Sequence, residues 1–92
     1  MKIVVEYTAQ LKRAAGAAAE TIELAESSTL DALLASLAAR HGEEFRGLLF
    51  NGAGGRQPSV LVFVADRQIP REEAVELVDG QVVTLVSPIS GG

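Results

Sequence analysis

Leu77-Val78-Asp79-Gly80-Gln81-Val82-Val83-Thr84-Leu85-Val86-Ser87-Pro88-Ile89-Ser90-Gly91-Gly92 is a turn, a strand and a tail in unbroken series. Asp79-Gly80 is a tight-turn signal, since glycine readily takes the positive φ such turns use. Gln81 to Val86 reads as a strand apolar on both sides. Thr84 shares a side with Val82 and Val86, so that set is placed outward and Val83 and Leu85 inward. Beyond it, Gly91 and Gly92 carry no side chains, and the last residues of a domain are loose unless tied down. The reading is a flexible tail over 87–92 that steps off the core into a narrow cleft on another protein and delivers the Gly92 carboxylate there. Six extended residues from Ser87 reach roughly 20 Å.

Moving outward from this segment, Val60 to Ala65 is a second strand apolar on both sides. The uniform β-branched set Val60, Val62 and Val64 faces inward, and Leu61, Phe63 and Ala65 face outward. Asp66-Arg67 makes a turn, Gln68-Ile69 returns, and Pro70 begins a short excursion through Glu76. Ser27-Ser28-Thr29 opens a helix in which Ser28 and Asp31 have capping-box spacing. Leu30, Leu33, Leu34, Leu37 and Ala38 form one apolar stripe, and Gly42 is a natural cap after Arg40 and His41. Glu43 to Phe50 reads as a short connection anchored by Phe45, Leu48 and Leu49, and Asn51 to Pro58 as a flexible loop. At the N-terminus, Lys2 to Thr8 alternates with Ile3, Val5 and Tyr7 inward. Glu20 to Glu26 alternates with Ile22 and Leu24 inward, and Ala9 to Ala19 between them is a loop or a short helical turn.

The order strand, strand, helix, strand, short strand, strand leaves one main helix to cover one face of a mixed four- to five-stranded sheet. The first and last strands are the central pair, and their distant connection allows them to run parallel. This is an α+β fold of the β-grasp (ubiquitin-like) arrangement, a single domain over 1–92. At 92 residues the chain can build one core. No Cys means no disulfide, thiolate metal site or thiol nucleophile. A net charge of −4 disfavours a general nucleic-acid binder. No signal peptide or membrane-length apolar stretch is evident, so the expectation is cytoplasmic.

One helix cannot cover both faces of a sheet. Leu61, Phe63, Val82 and Val86 are therefore expected to form an exposed apolar patch beside the tail, read as a partner surface; the competing readings are strands buried on both faces, or Ala9 to Ala19 folded over the patch. Asn51–Pro58 lacks the Gly-Lys-Ser/Thr ending and the following helix of a phosphate loop and is read as a plain connection. His41 has no evident carboxylate or second His beside it in the sequence and is read as a helix-end histidine. Glu72, Glu73, Glu76 and Asp79 are read as a solvated acidic edge, suited to basic residues on a partner, rather than a metal or acid/base site. No Ser/His/Asp arrangement is present, and no metal or cofactor of its own is expected.

The turn, apolar strand, Pro88 and terminal Gly91-Gly92 strongly resemble the end of the MoaD/ThiS family of ubiquitin-like sulfur carriers, which includes the small subunit of molybdopterin synthase. The first strand followed by Ala9-Gln10-Leu11, and the helix opened by Ser27-Ser28-Thr29-Leu30, are similar to that family as well. The stretch from Glu43 to Pro58 is longer than in its shortest members and resembles carriers serving cysteine biosynthesis or other thiolation routes. The resemblance implies that an E1-like adenylyltransferase uses ATP to adenylate the Gly92 carboxylate, with Gly91 providing slenderness. It implies that a persulfide enzyme supplies sulfur to make a thiocarboxylate, and that an acceptor enzyme such as a molybdopterin synthase large subunit receives it. The partner contacts expected are Leu61, Phe63, Val82, Val86, Pro88 and Ile89. Two alternatives use the same sequence: a protein modifier joined to lysine through the tail, and an interaction module whose tail is incidental.

Overall fold

In the computed structural model, which describes residues 1–88, the alternating N-terminal run is strand β1 (Lys2–Tyr7), with Ile3, Val5 and Tyr7 buried as the period of two requires. Helix α1 (Ala9–Ala15) follows and ends at Gly16, whose φ of 77° suits a residue without Cβ. The ambiguous Ala-rich segment is thus helical, and its Leu11 is fully buried. Strand β2 (Ala19–Glu23) returns antiparallel to β1 with Ile22 opposite Ile3. Leu24 just beyond it is half-buried.

Helix α2 (Leu30–His41) buries the whole predicted stripe. Its cap lies one residue beyond Ser28: the Thr29 hydroxyl accepts from the Ala32 amide at 3.1 Å, while Ser28 Oγ donates to the Ala25 carbonyl. This register lets the Leu30 amide donate to the Val75 carbonyl at 2.8 Å, which ties the 70–79 segment to the helix start. Gly42, at φ 92°, then redirects the chain into helix α3 (Glu43–Leu49). The sequence reads that stretch as a short connection anchored by Phe45, Leu48 and Leu49; the anchors do pack on the core, but the connection is a helix. It is helical because Phe45 and Leu49, four apart, lie on one face and reach the core together.

The loop after α3 is not loose by construction. Asn51 Oδ1 accepts from the Ala53 and Gly55 amides, and Gln57 donates to the Gly47 and Phe50 carbonyls at the end of α3. Strand β3 (Leu61–Val64) turns through Ala65-Asp66, one residue earlier than expected, into β4 (Arg67–Gln68). Strand β5 (Val82–Val86) completes a five-stranded sheet in the order β2-β1-β5-β3-β4. As expected, β1 and β5 are parallel and adjacent, with Val5 opposite Val83 and Tyr7 opposite Leu85. The three helices contribute Leu11, Leu33 and Phe45 to one core with the inward residues of the sheet.

Both ends of the β1–β5 pairing are locked. At the start, Asp79 Oδ1 accepts from the Lys2 amide at 2.7 Å and the Gly80 amide donates to the Lys2 carbonyl. At the finish, Ser87 is buried rather than part of a loose tail. Its hydroxyl donates to the Thr8 carbonyl at 2.6 Å and accepts from the Leu11 amide at 3.2 Å, and its own amide donates to Thr8 Oγ1. Ser87 thus caps α1 from the other end of the chain, in place of Thr8, whose hydroxyl is occupied by strand β5.

A polar cluster closes the edge between β2 and the end of α2. Glu20 Oε2 accepts from the Tyr7 hydroxyl and lies 2.5 Å from His41 Nε2, while Arg40 Nε contacts Oε1 at 3.1 Å. His41 therefore does have a carboxylate partner, one far away in sequence. Partial burial pushes the Glu20 carboxyl up. Hydrogen bonds from Tyr7 and His41, with the charges of His41 and Arg40, outweigh this and hold it below 4.5. Burial, first, and Glu20 push the Tyr7 phenol up.

Ser87→Ala strands the buried Leu11 amide, while the Thr8 carbonyl keeps its bond from the Lys12 amide, and is expected to cost about 1–2 kcal/mol in urea unfolding, with faster hydrogen exchange at Leu11. Because the Glu20 carboxyl is depressed in the folded state, its stabilisation is full above the ordinary value of 4.5 and is lost as pH falls through the folded value. Glu20→Gln should lower the midpoint at pH 7 and flatten the pH dependence of unfolding below about 4.5; an acid limb as steep as in the parent would contradict the assignment.

Candidate functional site: the open sheet face and the chain exit

All three helices bury residues in the core on one side of the sheet. The outward side chains of the strands occupy the other side. Register places Val82 beside Val4, Thr84 between Glu6 and Phe63, and Val86 beside Leu61. Leu61, Phe63, Val82 and Val86 are thereby brought to one face, in neighbouring rows of adjacent strands. Leu61 is 39% exposed, and Phe63, Val82 and Val86 are half-buried. Helix α1 does not fold over them, since its Leu11 sits in the helix-side core.

Two features, one on this face and one at its border, were not singled out in the sequence. Glu6 stands within the apolar rows, where it accepts a 3.3 Å hydrogen bond from the Thr84 hydroxyl. It is a carboxylate presented to whatever covers the face. The second is the anchoring of Ser87. The alternation that buries Val83 and Leu85 also turns Ser87 inward, so parity was the available signal. The polar partner awaiting it on β1 and α1 was not visible in the sequence. Pro88 follows, exposed. Ile89, Gly91 and Gly92, the remaining expected site residues, lie outside the described residues.

The acidic segment has separate structural employments. Glu73 pairs with Arg67 through two contacts of 2.8 and 3.1 Å, with the Arg67 hydrogen bond holding its carboxyl down. Glu76 pairs with Thr29 through its backbone, and the Asp79 carboxylate holds β1. Among the described residues no group of three His, Cys, Asp or Glu side chains is placed to hold a metal ion, and no helix is long and apolar enough to cross a membrane. The face offers shape, apolar area and, within the apolar rows, the Glu6 carboxylate, with Lys2 and Glu23 farther along the same side, which is binding chemistry.

Comparison with known proteins places this geometry. The model of the ThiS family matches residues 5–92. A protein of Pyrococcus furiosus described as a molybdopterin converting factor, subunit 1, is 32% identical, with 97% of this chain and 99% of that one covered at a TM-score of 0.76. SAMP1 of Haloferax volcanii superposes over the whole of both chains with a TM-score of 0.86 at 20% identity. CysO of Mycobacterium tuberculosis covers 95% of this chain and 99% of its own at 20% identity and a TM-score of 0.69. A search of curated protein sequences gave no match. With its β-grasp sheet, its helix-covered core and a family match over nearly its full length, the chain belongs to the ThiS family of MoaD/ThiS-like, ubiquitin-like proteins.

Proposed function

We propose that this protein is a cytoplasmic sulfur carrier whose reactive group is the Gly92 carboxylate. The observation that carries the reading is the junction at Ser87 and Pro88. A buried, hydrogen-bonded serine fixes the end of β5 directly beside the apolar rows of the open face, and Pro88 after it is exposed. A partner that covers Leu61, Phe63, Val82 and Val86 meets Pro88 and Ile89 next and then the glycines. Docking and delivery are thus coupled by the end of one strand. Glu6 gives the partner a carboxylate to pair with a basic side chain.

In the proposed chemistry an E1-like adenylyltransferase binds this face and presents ATP to Gly92. The carboxylate oxygen attacks the α-phosphorus, pyrophosphate leaves, and a poor electrophile becomes a mixed anhydride with AMP. The terminal sulfur of an enzyme persulfide then attacks the carbonyl carbon and AMP departs with the bonding pair. A thiol cleaves the resulting acyl disulfide, leaving the thiocarboxylate on Gly92 and a disulfide on the donor side. The carrier contributes no general acid or base. Gly91 and Gly92 keep the tail thin enough for a tunnel shaped around backbone. As acceptor we propose a cofactor-forming enzyme of the molybdopterin synthase large-subunit type. The 32% identity to the Pyrococcus furiosus protein supports this choice.

Intact-mass analysis after incubation with ATP, a sulfur donor and the host's activating enzyme tests the reading. The expected product gains one sulfur in place of one oxygen at Gly92. Protein-sized adducts would instead favour a modifier captured by lysine. An unchanged mass with a demonstrably active enzyme would favour an interaction module. Gly91→Val or removal of Gly92 should abolish loading without shifting the unfolding midpoint. Leu61→Arg, at an exposed position, should weaken loading about tenfold with the fold intact; normal loading of that variant would remove the sheet face from the docking surface.

A further inference from the structure

A cleft of about 890 Å³ opens in the helical layer between α2, α3, the loop that follows α3, and Arg71. The size is that of small-molecule sites, which run to about 300–1,000 Å³. Its apolar lining includes Ala35 and Phe50, and its polar lining includes Arg46, Arg56 and Arg71. Three of the eight Lys and Arg side chains of a chain with net charge −4 therefore border one cavity.

Arg56 is the informative residue. Its Nη2 donates to the Ile69 carbonyl at 2.8 Å, but its buried Nε has no partner among the described residues. Burial disfavours its charged form, Asp31 and Glu72 counteract this from a distance, and the neighbouring Arg71 adds to it. Arg71 Nη1 donates to the Arg56 carbonyl at 3.3 Å, and among the described residues neither arginine has a carboxylate within ion-pair range. Arg46 has a 3.9 Å contact with the exposed Glu43. Asp31 and Glu72 offset the Arg71 charge only without direct pairing, and the buried Nε still lacks an acceptor, so an anion that supplied acceptor oxygens would be favoured here. The wall that carries Arg56 is already ordered by Asn51 and Gln57, so little rearrangement is required on binding.

We propose that this cleft binds a phosphate-bearing small molecule, with the phosphate held between Arg56 and Arg71 and an apolar body resting on Ala35 and Phe50. Guanidinium groups approaching from several elements suit a multi-oxygen dianion better than a single carboxylate. Asp31 and Glu43, on the same lining, repel an extended polyanion and so select against nucleic acid. The cleft lies in the helical layer, so a partner docked on the opposite sheet face leaves it open. Occupancy is thus independent of the carrier reading.

The test is a titration of the full chain, followed by backbone amide and arginine Nε–H resonances, with inorganic phosphate, pyrophosphate and phenyl phosphate as probes. Saturable shifts confined to Arg56 Nε–H and the amides of residues 52–57 are expected, with phenyl phosphate binding more tightly than inorganic phosphate. Arg71→Ala, at an exposed position, should weaken binding about tenfold. Arg56→Gln should do the same, and the Arg71 variant keeps the test valid if Arg56→Gln unfolds. Absence of saturable shifts, shifts unaffected by Arg71→Ala, or shifts centred on Lys2 and Lys12 would overturn the proposal.

Discussion

The parallel pairing of β1 with β5 is the constraint on which the rest of the structure depends. It joins the first strand to the last, so its loop-closure cost is the largest of any pairing in the sheet. The fold meets that cost at both ends of the pair. Asp79 and Gly80 seat the entry of β5 on Lys2, and Ser87 seats its exit on Thr8 and Leu11. Between these locks Val83 and Leu85 are fully buried. The end of β5 is therefore a fixed point of the core.

From that pairing follows the division of the molecule into two unlike surfaces. Three helices cannot wrap a five-stranded sheet, and here all three contribute to the same side. The uncovered side keeps Leu61, Phe63, Val82 and Val86 together with Glu6. The covered side collects the polar work of the fold, including the Tyr7, Glu20 and His41 cluster and the arginine-bordered cleft.

Much of this was legible in the residues, for definable reasons. Period-two alternation in Lys2–Tyr7 and the stripe from Leu30 to Ala38 fixed which faces are buried, because a one-residue error would have exposed them. The outward set of β3 and β5 followed from the same parity. Less legible was α3: Phe45 and Leu49 form a stripe too short to distinguish a helix from a connection until there is a core for it to meet. The cap of α2 moved from Ser28 to Thr29 because strand-like hydrogen bonds to Val75 and Leu77 set the register there. His41 looked partnerless because its carboxylate, Glu20, lies on a strand 21 residues away.

The sequence by itself determined the fold class, the inward and outward faces of the strands, the main helix and the family to which the ending points. All of these rest on local periodicity or contiguous motifs, which the linear order of residues carries directly. Only the tertiary structure decided that Ser87 is a buried lock rather than the first residue of a tail, that Glu20 holds Tyr7 to His41, and that Arg46, Arg56 and Arg71 border one cavity. Each depends on side chains brought together from separate elements, and hydrogen bonding and charge act over a few ångströms in space whatever the separation along the chain.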